Sequence, residues 1–219
     1  MNESARPANA DLLNAAIRLF GRVGYDGAST RAIAAACGKP MSAITYHFGG
    51  KRGLYLAAAE HIAAKMSERI APLRAIREGV DLDNADFAVI EEALHRMIDI
   101  GIGVVTDPAI DDFVNFVLRE QAEPTDAFQP IFEGVMSPIL TQMTTLLAAA
   151  ADPPMPEGEA RIRAAMLIGQ IVFFRTCRAA ALRHCGWAGI GDAERQEIAA
   201  AAHSHLSIFL SGLRRGEHQ

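Results

Sequence analysis

Aromatic residues make up only 6% of the 219 positions, and the chain holds one tryptophan and three cysteines. Cys37, Cys177 and Cys185 are an odd set, which argues against a disulfide framework. His184 sits beside Cys185, but the spacing fits no compact metal motif. His203 and His205 are two apart on a predicted helix and so do not share a face. There is no nucleophile–base–acid spacing, no Gly-rich phosphate loop and no metal signature. An enzyme, a metal and a cofactor are therefore not expected. No apolar run reaches the roughly eighteen residues of a bilayer span, and the opening MNESARPAN is too polar for a signal peptide. A cytoplasmic protein with no membrane partner is expected.

Half of the residues are hydrophobic, alanine is abundant, and no segment alternates apolar and polar residues over the length of a strand. Helical periodicity dominates, so the predicted class is all-α. Residues 1–55 read as a three-helix helix-turn-helix domain. Residues 56–219 read as a larger helical domain, and a long helix from about 51 to 70 links the two.

The informative stretch is ASTRAIAAACGKPMSAITYHFGGKRGLYL, from Ala28 to Leu56. A first helix over about 8–23 carries Leu13, Ile17 and Phe20 on one stripe, and Gly24 and Gly27 supply the turn after it. Ser29 or Thr30 can cap the next helix, whose Ile33 and Cys37 face inward. Gly38 suits the left-handed conformation past a helix end, and Pro40 suits a helix start. In the following short helix Met41, Ile44 and Phe48 fall on the core side. Ser42, Ala43, Thr45, Tyr46 and His47 form the other face, small or polar enough to approach bases and phosphates. Gly49 and Gly50 break this helix. Lys51 and Arg52 then open the next one, where the helix dipole disfavours positive charge and a bound phosphate would remove the conflict.

Charge separates the two parts. Residues 1–55 hold seven bases (Arg6, Arg18, Arg22, Arg31, Lys39, Lys51 and Arg52) against Glu3, Asp11 and Asp26, a formal +4. The rest of the chain carries a formal −9. A basic end on an acidic body is the electrostatic footprint of a DNA-contacting head.

The run from a Leu-Phe helix end through Gly-Tyr, Ser-Thr-Arg-x-Ile-Ala, Gly, Tyr-His-Phe, Lys and Leu-Tyr covers about Asn9 to Ala59. It resembles the N-terminal domain of the TetR family of bacterial one-component regulators. The resemblance implies phosphate contacts from Thr30, Tyr46, His47 and Lys51, with Met41, Ser42 and Thr45 nearest the bases. Ala43, Arg31 and Lys39 complete the candidate DNA-binding set. The chain departs from the family pattern at Lys39-Pro40, where Val-Ser is common, and at Ile44-Thr45, where Leu-Tyr is common. FVLREQAEPT, from Phe116 to Thr125, and the run through Ser137-Pro138 resemble the subgroup with a CerR-type C-terminal domain.

Beyond the long helix, which Pro72 ends or kinks, helices are predicted over about 84–105, 109–121, 124–151, 158–184 and 192–214. Pro130 and Pro138 should kink or split the third of these. Met97, Phe113, Phe116, Phe128, Phe132, Met143 and Phe173 are apolar candidates for a small-molecule pocket, and Arg119 could anchor an anionic ligand. An ordinary core explains the same apolar residues, and a salt bridge or helix-end contact explains Arg119. In the last helix Ile198, Ala202, His205 and Phe209 form a narrow seam, and Gly169 offers close approach on the helix before it. Two such helices from each of two subunits would make a dimeric four-helix bundle.

By resemblance, the expected function is a ligand-responsive repressor. Its homodimer would bind a palindromic double-stranded DNA operator, and a small-molecule effector would release it. The alternative is a DNA-binding regulator or interaction protein that senses no small molecule.

Overall fold

The structure, a computed structural model, describes residues 5–82 and 84–214. Among them twelve α-helices and no strand are found. By packing the chain divides into two compact units, one of residues 1–68 with 108–135 and the other of residues 69–107 with 136–219.

The first unit opens with α1 (Ala5–Gly27), α2 (Thr30–Ala36), α3 (Ser42–Phe48) and the start of α4 (Lys51–Arg69). Neither α2 nor α3, at seven residues each, can persist alone, because helix nucleation costs more than two turns return. Burial supplies the difference: Leu12, Ile17, Phe20, Ile33, Ile44, Leu54 and Ile62 are essentially inaccessible. The deepest row of α1 therefore runs through Leu12, Ala16 and Phe20, with Leu13 half-buried beside it. Ser29 caps α2 by accepting from Ala32 N at 3.0 Å. Gly38 (φ 65°) takes the left-handed conformation expected of it, and Gly49 (φ 72°), expected to break the helix, is left-handed as well.

Two expectations shift. The first helix does not stop at Val23: it continues to Gly27 through a kink at Gly24. Met41 does not join the small core and is 56% exposed. It precedes the first helical residue of α3, and the inward row begins one turn later, at Ile44.

The same unit contains α7 (Asp111–Ala122) and α8 (Phe128–Ile131). Helix α7 lies along α1, and its Phe116 is buried against Phe20 and Tyr55 with ring centroids at 6.5 and 4.8 Å. The predicted 124–151 helix is split here into α8, a π-helical turn over Phe132–Met136, and α9 (Ser137–Ala149) of the second unit. Pro130 and Pro138 mark the two ends of the irregularity, as their missing N–H groups require.

The second unit packs α5 (Ala71–Glu78), α6 (Phe87–Val105), α9, α10 (Glu157–Thr176), α11 (Arg178–Cys185) and α12 (Asp192–Arg214). Ile90, Leu94, Ile98, Leu147, Leu206 and Leu210 are among its buried side chains. The predicted 158–184 helix is two helices, α10 and α11, bent by 86° at Cys177. No proline or glycine stands at that bend, so the sequence carried no signal for it. Among the described residues no single helix is long and apolar enough to cross a membrane, and no group of three or more His, Cys, Asp and Glu side chains is placed to hold a metal.

In α4, a Cβ added at Gly53 would lie 1.7 Å from the Phe48 carbonyl oxygen. The last carbonyls of α3 sit directly on the first turn of α4, and only glycine admits that approach. Gly53→Ala is therefore expected to destabilise the protein by at least about 1–3 kcal/mol, read as a lowered urea midpoint with unchanged m.

Candidate nucleic-acid interface

Helix α3 presents the outward face that its sequence pattern predicts. Ile44 points inward at 1% exposure, while Tyr46 is 84% exposed and Ser42, Thr45 and His47 are also open to solvent. Ala43 is half-buried. The rings of Tyr46 and His47 meet edge to face at 4.9 Å, which orients two polar-tipped aromatics together. Thr30, the first residue of α2, is half-buried, and Arg31 beside it is exposed. The ammonium of Lys39 lies 3.7 Å from the Asp11 carboxylate, a surface pair of small energetic weight that a phosphate could displace.

Lys51 sits at the first position of α4. Its ammonium donates to the Asp26 carbonyl at 3.3 Å and lies 4.5 Å over the Tyr25 ring centroid. A carbonyl dipole and a π-face thus offset the unfavourable helix dipole. These residues stand on α2, α3 and the α4 start, and no arginine lies on α3 itself to read a guanine with a bidentate fork.

Behind this surface, Tyr55 on α4 donates its hydroxyl to the buried Glu120 carboxylate on α7. Burial raises the Tyr55 phenol well above its ordinary range, and the hydrogen bond to Glu120 raises it further, so the hydroxyl stays protonated as donor. Glu120 also accepts from the Thr125 backbone N–H and hydroxyl, each at 3.0 Å. A cleft of about 640 Å³ opens beside this cluster, between Tyr25, Arg52, Tyr55, Arg119, Glu123 and Asp126.

The predicted ligand set is not gathered in one unit. Phe113, Phe116, Arg119, Phe128 and Phe132 belong to the first, and Met97, Met143 and Phe173 to the second. Phe116, Met97 and Met143 are core residues at 1–3% exposure, whereas Phe173 is 45% exposed. Phe113 is half-buried, and Phe128 stacks on Phe132 at 5.8 Å. The Arg119 guanidinium is engaged by two α1 carbonyls, those of Gly21 and Arg22, which is the helix-end role rather than that of a free anchor.

Of the predicted interface seam, two residues lie in the chain's own core. Ile198 and Ala202 are buried at 3% and 4% in their own unit. His205 is exposed and pairs with Gln170 at 3.1 Å, and Phe209 is half-buried beneath the Arg163 guanidinium. Gly169 is exposed. Both rows of α12 are rich in small and apolar residues, and periodicity alone does not say which one faces the chain's own core.

A histidine cluster in the second unit escaped sequence analysis. His95 Nδ1 meets His203 Nδ1, His203 Nε2 reaches Asp99 Oδ1 at 2.6 Å, and Ser207 Oγ lies 3.3 Å from His95 Nε2. With one proton on each ring, Ser207 donates to His95, His95 to His203 and His203 to Asp99, so every nitrogen is satisfied. The i,i+4 pairs His95/Asp99 and His203/Ser207 were visible, but nothing in sequence placed them on facing helices.

A helix-turn-helix head of this geometry defines a DNA-binding transcriptional regulator. Residues 12–58 match the family of bacterial regulatory proteins named for TetR, and residues 88–213 match the C-terminal domain of the HTH-type transcriptional dual regulator CecR. The chain belongs to the TetR family, with the CecR type of C-terminal domain where a CerR type was expected from FVLREQAEPT; its relatives are transcriptional regulators, not enzymes. It is 33% identical over 217 residues to the dual regulator CecR of Shigella flexneri, spanning 97% of this chain and 96% of that one. Among solved structures, AibR in complex with isovaleryl coenzyme A and operator DNA aligns with a TM-score of 0.65 at 17% identity, over 90% of this chain and 96% of that one. FadR from Bacillus subtilis in complex with stearoyl-CoA aligns at 0.57 and 17% identity, over 94% and 99%. At such identity both likenesses concern the fold.

Tyr46, open to solvent, contributes little to packing. Tyr46→Ala is expected to leave the unfolding midpoint within about 0.5 kcal/mol of the parent while weakening binding to a specific site, which fluorescence anisotropy measures. Undiminished affinity would remove Tyr46 from the interface.

Proposed function

We propose that the chain is a ligand-responsive transcriptional repressor of the cytoplasm that binds a palindromic operator as a homodimer and is released by a small molecule. The observation that carries the DNA part is the outward face of α3: Ser42, Thr45, Tyr46 and His47 stand exposed on a helix fixed from behind by Ile44, in the basic end of an acidic chain. In this division of roles, residues 1–55 read DNA and residues 56–219 respond to ligand and pair. With no arginine on α3 to offer a guanine fork, DNA shape and water-mediated contacts supply much of the specificity.

Pairing is supported by an apolar row on α10: Ile162 (64% exposed), Met166 (69%), Gly169 and Phe173 (45%) recur at helical spacing, and Ile208 on α12 is 68% exposed. Apolar side chains this open in a row mark an interaction surface. A symmetric pair of subunits would bury them and set two α3 helices one turn of DNA apart.

Ligand response is supported by a cavity of about 320 Å³ between α5 and α6, lined by Ile76, Val80, Val89 and Ala93 with Glu92 and Arg96 as polar groups. That is the lower end of small-molecule sites, roughly 300–1,000 Å³. AibR and FadR were each solved with a coenzyme A thioester, which makes acyl thioesters the first class to screen. Release requires that the ligand bind the DNA-competent arrangement less tightly than the other, for instance by tilting α4. A second reading, activation at some sites and repression at others, is favoured by the description of the Shigella flexneri relative as a dual regulator.

DNA selection with the purified protein tests the reading. An enriched palindrome bound by dimers, much tighter than random DNA, is expected; no enrichment, with weak binding even at low salt, would overturn it. Ile162→Glu combined with Ile208→Glu should shift sedimentation from dimer to monomer and weaken operator binding, while leaving helicity by circular dichroism unchanged.

A further inference from the structure

Lys51 is held in place by the last turn of α1. The Asp26 carbonyl accepts from its ammonium at 3.3 Å, and the Tyr25 ring lies beneath it at 4.5 Å. That turn follows the kink at Gly24, where φ 78° and ψ 175° take the backbone out of helical conformation. Arg119, on a helix outside the helix-turn-helix, grips the carbonyls just before it. Its Nε donates to Gly21 O and its Nη2 to Arg22 O, both at 2.7 Å. Its remaining nitrogen, Nη1, lies 3.3 Å from where a Gly24 Cβ would stand, so the guanidinium fits over the kink itself. The neighbouring Glu120 closes the other side: it binds the Tyr55 hydroxyl, and the Tyr55 ring meets Tyr25 edge to face at 5.0 Å.

We propose that Arg119 is a positioning residue for DNA binding: by gripping the α1 carbonyls at the kink it fixes Tyr25 and Asp26, which hold the Lys51 ammonium ready for a phosphate. A lysine held in this way has already lost the rotamer freedom that binding would otherwise cost. The inference rests on the reading of Lys51 as a phosphate contact. Arg119 itself need not touch DNA, and no other residue type supplies two parallel donors in a planar fork at that spacing.

Arg119→Lys keeps the charge and loses the fork, which separates positioning from general electrostatics. The test is anisotropy of the full chain on its selected operator at 50 and 200 mM salt. Losing one phosphate contact from each subunit of the dimer lowers the slope of log K against log salt by about 1.8, so a variant's affinity falls about 12-fold less than the parent's over that range. Lys51→Ala and Arg119→Lys should each show this change, and the double variant should show no further loss of slope. Tyr25→Leu, which leaves the Arg119 contacts intact, should do the same and covers the case in which Arg119→Lys does not fold. Nuclear magnetic resonance of the DNA-free protein should show the Tyr25 ring and Lys51 side-chain signals altered in Arg119→Lys. A parental slope in Arg119→Lys, or slope losses that add in the double variant, would overturn the proposal. An unchanged slope in Lys51→Ala would instead remove the phosphate reading on which it rests, whatever the resonance signals show of the Arg119 link.

Discussion

A seven-residue helix in water is unstable, and the helix-turn-helix of this protein is built on two of them. Everything in the first unit follows from having to hold α2 and α3 from behind. Ile33 and Ile44 are buried completely for that purpose, and α4 begins so close to the end of α3 that its third residue must be glycine. The exposed face could then be left to function: Tyr46 and its neighbours contribute almost nothing to the core and are free to be polar.

The same constraint explains why α7 belongs to this unit. Two short helices bury little, and α1 carries a long apolar side. Phe116 fills it, with Phe20 and Tyr55 as ring partners. Once α7 is in place, a charged pair follows from its next turn. Glu120 is a carboxylate taken out of water, tolerable because Tyr55 and Thr125 satisfy it. Arg119 is more open and donates to two α1 carbonyls just before the Gly24 kink. Buried polar groups of this kind specify one arrangement of helices where apolar packing alone would accept several.

The second unit carries its information in what it leaves uncovered. Its own core is met by Leu206, Leu210 and Ile198 on α12 and by Ala164 and Leu167 on α10. The row of Ile162, Met166 and Phe173 is left largely open to solvent, at 45–69% exposure. An apolar row with that spacing is costly in water, and a second copy of the chain is the partner proposed for it.

Sequence by itself determined the helical class, the caps and turns of the head, the split at Pro130 and Pro138, and the outward face of α3. All of these depend on neighbours within one or two turns. Tertiary structure alone decided the rest. It placed Met41 in solvent, turned Ile198 and Ala202 inward, bent the chain by 86° at Cys177, and brought His95 to His203 across more than a hundred residues. It also gave Arg119 its two carbonyls on a helix nearly a hundred positions away. Helical periodicity states that a residue lies on an apolar row. Which row meets which neighbour is fixed only when the helices pack, because that choice depends on the summed burial of all of them.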